Sequence, residues 1–182
     1  MRGQLNSMKR AGVPSRDLDP TKRTELEGYV RQVVQKRPSP VALANIGPEL
    51  PASSWRLVFS TEEATFGDLP RDATILLQFL DESNVDYVLQ FSGKTLGLNS
   101  IKAKSKWTIS QGQSDAGLLT FVYDKITTDA FGLRDVGVGF FGLLKGRSNF
   151  VESAYFDNTF WIERGYGLSG KDFLNVYMRE EE

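Results

Sequence analysis

The chain has 182 residues, of which 40% are hydrophobic and 25% charged, and its formal net charge is −1. This composition is typical of one folded domain and lacks the basic excess that a nucleic-acid partner requires. Cysteine and histidine are both absent, which excludes disulfide frameworks, thiol nucleophiles, Ser-His dyads and the usual zinc sites. We therefore expect no nucleic-acid partner, no metal and no cofactor, although a carboxylate-only site for Mg²⁺ or Ca²⁺ stays open.

Residues 1–16 are predicted to be a flexible basic terminus, because they contain four basic residues and no acidic one. The same composition occurs at the end of organellar transit peptides, so a transit-peptide remnant is the alternative interpretation. Residues 17–50 are predicted to be a helical preface. Asp19 can cap a helix that begins at Pro20 and ends before Pro38. One face of this helix would carry Leu26, Tyr29, Val30, Val33 and Val34.

Residues 51–182 are predicted to form a β-domain, because from Trp55 onward apolar residues alternate with polar ones. At least seven short strands with no helix between them favour an antiparallel sandwich or a closed barrel over an α/β fold. The interior of an eight-stranded barrel is either filled by side chains or wide enough for one small ligand.

Aromatic side chains recur on these predicted strands, and some of them must face the interior. Each one alone is more typical of a hydrophobic core than of a ligand contact. As a set they would suit an elongated apolar guest, because ligand sites are lined mostly by hydrophobic groups. The candidate lining residues are Phe59, Phe79, Tyr87, Phe91, Trp107, Phe121, Tyr123 and Trp161.

The segment Phe131–Gly146 differs from the rest of the chain because it combines dense glycine with large apolar residues. Glycine at this density favours bends and close backbone approaches, so one interpretation is a bulged strand at a corner of the barrel. The other is an exposed apolar lid or a loop that contacts a membrane or partner. The candidate contact residues are Val136, Val138, Phe140, Phe141, Leu143 and Leu144.

Two stretches of the chain carry a family resemblance. The first predicted strand, Trp55–Thr61, reads WRLVFST. The second stretch lies near the C-terminus and contains, in this order, Tyr155, Asp157, Ile162, Arg164, Gly165, Phe173 and Arg179. Together these stretches resemble the plastid lipid-associated protein family, the fibrillins of plastoglobules and thylakoids.

The resemblance implies a lipocalin-like antiparallel β-barrel that follows the N-terminal amphipathic helix. It also implies non-enzymatic binding of a carotenoid, prenylquinone or lipid, in the chloroplast, at thylakoid membranes or plastoglobules. The structural motif would consist of Trp55, Asp157, Arg164, Gly165 and Arg179. Because the first and last strands of a barrel pair, we expect a guanidinium, from Arg164 or Arg179, to lie over the Trp55 indole.

Two alternatives to a lipid-binding protein stay open. One is a structural or assembly subunit that docks on a thylakoid membrane complex through the apolar glycine-rich loop. The other is a lipocalin-type isomerase or lyase. An enzyme of this kind needs a buried carboxyl with a raised pKa inside a cavity, and the candidates are Asp86 and Glu163.

Overall fold

The computed structural model describes Gly3 and residues 18–36, 47–62, 69–70, 72–93, 97–109, 118–138, 145–146, 148–166 and 170–180. In these ranges the helix α1 (Pro20–Lys36) and a short 3₁₀ helix (Gly47–Glu49) precede the strands. The strands are β1 (Ser53–Ser60), β2 (Ala73–Phe79), β3 (Asn84–Phe91), β4 (Leu98–Ile109), β5 (Leu118–Ala130), β6 (Leu133–Gly137), β7 (Ser148–Phe156), β8 (Phe160–Tyr166) and β9 (Asp172–Arg179).

All nine strands belong to one antiparallel sheet, in the order β4-β3-β2-β1-β9-β8-β7-β5-β6. Because β4 also pairs with β5, the sheet closes in a ring, and β6 is attached to it along β5. The length of β5 makes this branch geometrically feasible: Leu118–Val122 pair with β7, and the stretch from Thr127 to Ala130 pairs with β6. The prediction of a mainly β, antiparallel fold after an N-terminal helix is confirmed.

Helix α1 begins where its cap predicts. The Asp19 carboxylate accepts a hydrogen bond from the backbone N–H of Thr21 at 2.9 Å, and Pro20 occupies the first helical position. The helix covers the outer side of the ring. Its buried residues Leu26, Val30 and Val34 form an apolar cluster with Val58, Phe59, Ala154, Phe160, Ile162, Leu174, Val176 and Met178.

The inner side of the ring holds a second and more aromatic cluster. Trp161 packs against Tyr177 with ring centroids 5.5 Å apart, and Phe79 meets Trp107 edge-on at 5.2 Å. Such tilted and edge-on pairs are the preferred arrangements of aromatic rings. These side chains fill one end of the interior together with Leu50, Trp55, Leu57, Ile75, Leu77, Val85, Leu119, Phe121 and Val151.

A β-bulge in β1 changes which side chains face the interior. Leu57 is opposite Tyr177 and Phe59 is opposite Val176, so Val58 is an extra residue in the pairing with β9. One extra residue reverses the alternation of faces beyond it. Phe59 therefore packs on the outer side, beneath α1, where the Arg23 guanidinium lies 5.5 Å from its ring centroid.

Candidate functional site

A cavity of about 60 Å³ lies inside the ring, next to the aromatic cluster. Strands β2, β3, β4, β5, β7, β8 and β9 all contribute to its wall. One part of the wall is apolar and the other carries hydroxyl, amide and carboxyl groups. The lining residues are Leu77, Val85, Tyr87, Ser105, Phe121, Tyr123, Asn149, Val151, Glu163 and Tyr177.

Small side chains on β4 explain why the interior is hollow here. Tyr87 is opposite Ala103 across the β3–β4 pair, and Ser105 is opposite Tyr123 across the β4–β5 pair. Alanine and serine leave space where the other end of the ring has tryptophans. Tyr87 is 38% exposed although Val85, on the same face of β3, is buried in the aromatic cluster, because the Tyr87 ring borders this space. Asn149 both lines the cavity and is exposed, which marks the open side.

Glu163 is the one carboxyl group among the described lining residues. Its side chain is 6% exposed, and its Oε1 accepts hydrogen bonds from Asn175 Nδ2 at 2.7 Å and from the Tyr177 hydroxyl at 3.0 Å. Burial raises the pKa of Glu163, and these two hydrogen bonds only partly oppose that effect. A carboxyl group in this setting favours its neutral form.

Three tyrosines near Glu163 also have raised pKa values. Burial raises the pKa of Tyr87, Tyr123 and Tyr177, and a negative charge on Glu163 would raise each of them further. For Tyr123 a hydrogen bond with Asn149 acts in the opposite direction. The cavity therefore presents neutral hydroxyl groups to anything that enters it.

The eight aromatic residues predicted to line a ligand site occupy four different settings. Tyr87, Phe121 and Tyr123 line the cavity. Phe79, Trp107 and Trp161 are buried in the inner aromatic cluster. Phe91 is half-buried at the end of β3, opposite Ala73. Phe59 lies on the outer side of the ring because of the bulge at Val58. The regular alternation of apolar and polar residues had placed it on the inner side.

The residues of the structural motif mark the closure of the ring. Trp55 is opposite Arg179 in the β1–β9 pair, and the Arg179 guanidinium lies 5.7 Å from the Trp55 ring centroid. Arg164 instead points outward, where it forms an ion pair with Glu152 at 3.1 Å. The alternation of β8 explains this difference, since Arg164 follows the inward-facing Glu163.

The other two motif residues, Asp157 and Gly165, lie at the two ends of β8. The Asp157 carboxylate accepts hydrogen bonds from the Tyr155 hydroxyl at 2.7 Å and from the backbone N–H groups of Thr159 and Phe160 at 2.8 and 2.7 Å. It therefore caps the turn between β7 and β8. Gly165 is opposite Phe173, whose ring occupies the space that a Cβ at Gly165 would need.

The predicted contact segment is only partly described. Phe140, Phe141, Leu143 and Leu144 lie outside the described residues, whereas Val136 is exposed on β6 and Val138 is half-buried. Two residues of the same segment that were not among the candidate contact residues are more exposed, Phe131 at 80% and Leu133 at 64%. They flank the turn between β5 and β6. Within the described ranges, no helix has the length and apolar character needed to cross a bilayer.

The two carboxyl groups named for an enzyme lie on opposite faces of the sheet. Asp86 is opposite Lys104 on the outer face, and burial raises its pKa while Lys104 and Lys102 lower it. It does not line the cavity, because its neighbours Val85 and Tyr87 take the inward positions. Of the two candidates, only Glu163 has the placement that the isomerase or lyase hypothesis requires.

The polar part of the cavity wall includes residues that the sequence analysis did not select. Ser105, Asn149 and Tyr177 line it, and Asn175 orients Glu163 from β9. A sequence feature that indicates a polar region in the interior is the position of Glu163 and Asn175, each of which lies among apolar residues of β8 and β9. Comparison of the chain with models of known families, with curated proteins and with solved structures gives no match.

Proposed function

We propose that this protein binds a lipophilic small molecule without transforming it, and that its ring of strands is a lipocalin-like barrel. The observation that carries the proposal is the cavity, in which an apolar wall faces a set of neutral hydrogen-bonding groups. Sites for small molecules have this composition, mostly apolar with a few polar groups that fix orientation.

The size of the cavity indicates how a guest would sit. Pockets that enclose a drug-sized ligand measure roughly 300–1,000 Å³, whereas this one measures about 60 Å³. The polar end of a carotenoid, prenylquinone or lipid would enter the cavity, and the apolar remainder would leave on the side of Asn149. The proposed location, at chloroplast thylakoids or plastoglobules, rests on the resemblance of Trp55–Thr61 and the C-terminal motif to plastid lipid-associated proteins.

The direct test is organic extraction of the protein purified from its native source, followed by mass spectrometry and an absorption spectrum. We expect a carotenoid, quinone or lipid in stoichiometric amount. The variant Ser105→Leu fills the cavity and should reduce the recovered ligand roughly tenfold, at a cost in stability of about 1–3 kcal/mol. The control is Lys106→Leu, the adjacent position on the outer face. Equal ligand recovery from both variants would contradict the proposed site.

A second candidate function is docking on a lipid surface, favoured by the exposed apolar side chains of Phe131, Leu133 and Val136. An electrostatic contribution from β4 would be small, because Lys102 is paired with Asp129 at 2.9 Å and Lys104 with Asp135 at 2.8 Å.

This docking makes a separate prediction for the full chain. The partition coefficient measured by sedimentation with vesicles of plastid galactolipids should fall roughly a hundredfold or more in the double variant Phe131→Ser, Leu133→Ser, since each apolar side chain contributes about 1.5–3 kcal/mol when buried. The matched control is Tyr29→Ser, an exposed aromatic residue on α1. Unchanged sedimentation of the double variant would rule out the turn between β5 and β6 as the contact.

A further inference from the structure

Three neighbouring strands place a row of polar side chains inside the ring. Glu163 on β8 is opposite Ser153 on β7 and opposite Asn175 on β9. All three residues are buried. Glu163 lines the cavity, and Ser153 and Asn175 flank it on the neighbouring strands.

Each member of this row has a polar atom without a partner in the described part of the chain. Ser153 Oγ and Asn175 Oδ1 are buried with no hydrogen bond. Glu163 Oε1 accepts both of the hydrogen bonds that its carboxyl group receives from described residues, and Oε2 accepts none. Buried polar atoms are nearly always paired, and an unpaired one costs about 1–3 kcal/mol. Of these three residues only Glu163 lines the cavity, so its Oε2 is the atom of the row that can pair with a polar group entering there.

The charge around the row restricts what that group can be. No lysine or arginine is among the described residues of the cavity wall. Arg164, the next residue in the chain, faces outward and is paired with Glu152 and Asp172. Among these described residues, neither a ligand carboxylate or phosphate nor an ionised Glu163 would find a cation. A neutral Glu163 can donate a hydrogen bond from Oε2.

We infer that the cavity recognises an uncharged oxygen head group, a hydroxyl or a carbonyl, which accepts a hydrogen bond from the protonated carboxyl of Glu163. This inference rests on the proposed binding function and specifies the chemical class of the ligand's polar end.

Four linear probes of eleven carbon atoms each separate the head groups: 1-undecanol, 2-undecanone, undecylamine and undecanoate. Binding to the full chain is followed at neutral pH by tryptophan fluorescence. We expect the alcohol and the ketone to bind at least roughly tenfold more tightly than the ammonium and the carboxylate. If none of the four binds, the proposed binding function itself fails. Equal affinities, or a preference for undecylamine, would leave that function standing and overturn the inference.

Substitutions of Glu163 test the role of its proton. Glu163→Gln keeps a donor and should retain alcohol binding, with no dependence on pH between about 5 and 9. Glu163→Leu should lose roughly tenfold or more in affinity. Infrared difference spectra between wild type and Glu163→Gln at neutral pH give a measurement that needs no ligand. They should show the carbonyl band of a protonated carboxyl, and a carboxylate band in its place would overturn the inference even if the leucine variant fails to fold.

Discussion

Replacement of Trp161 with alanine is expected to lower the free energy of unfolding by about 3–5 kcal/mol, the range for large aromatic side chains in well-packed cores. Trp161 is fully buried. Its ring lies 5.5 Å from Tyr177, 5.9 Å from Phe79 and 6.0 Å from Trp55, measured between centroids. Its loss would leave a void at the packed end of the ring, where strands on both sides hold the neighbouring rings in place.

Urea denaturation followed by circular dichroism measures this effect. Tyr166→Ala is the matched control, because Tyr166 lies on the same strand with 64% of its surface exposed. A surface substitution of this kind changes the free energy of unfolding by about 0.5 kcal/mol or less. If Trp161→Ala costs no more than Tyr166→Ala, the inner aromatic cluster does not hold the ring together.

The second large effect is a loss of stability as pH rises above about 4.5, caused by Glu163. The ordinary pKa of a glutamate is 4.5, and burial raises the pKa of Glu163 in the folded chain. Above pH 4.5 the unfolded chain therefore releases a proton that the folded chain keeps. Because the folded state binds more protons, the free energy of unfolding falls with rising pH until the folded-state pKa is passed, by up to about 1.4 kcal/mol per pH unit.

The variant Glu163→Gln isolates this contribution, since glutamine can still accept hydrogen bonds from Asn175 and Tyr177 but does not titrate. Urea denaturation of both proteins from about pH 5 to 9 should show the variant gaining stability over wild type as pH rises. The raised pKa values of Tyr87, Tyr123 and Tyr177 act only above this range. Asp86 titrates alike in both proteins and cancels in the difference. A constant difference across the range would show that Glu163 is ionised at all these pH values.

The parts of the fold that were predictable from the sequence are those set by local chemistry. Helix α1 is determined by the Asp19 cap, Pro20 and the spacing of its apolar residues, and it was predicted to within two residues at its C-terminal end. The alternation in β3 likewise predicts its inward face, which includes Tyr87. Strand β7 was missed because its sequence mixes polar and apolar residues without regular alternation, and pairing with β5 and β8 makes it a strand. Strand β6 lies in the glycine-rich segment for which a bulged strand was one interpretation.

The candidate site was harder to predict because it depends on register. The alternation of residues in β1 predicts that Phe59 lies on the same face of the sheet as Trp55. The extra residue Val58 in the pairing with β9 moves Phe59 to the opposite face. The choice between Arg164 and Arg179 as the partner of Trp55 was open for the same reason. Glu163 was selected as a carboxyl group, but its partners Ser153 and Asn175 come from strands whose alignment no local pattern specifies.

The pairing of β1 with β9 also determines the order in which the molecule can fold. The backbone N–H of Leu174 donates to the Thr61 hydroxyl at 2.9 Å across 113 residues of chain. Contacts this distant in sequence form slowly, because a long loop must close before they contribute. During synthesis, Trp55 would therefore stay in contact with solvent until β9 has left the ribosome. Until β9 is available, β1 lacks one of its two neighbouring strands, and the inner aromatic cluster lacks the ring of Tyr177.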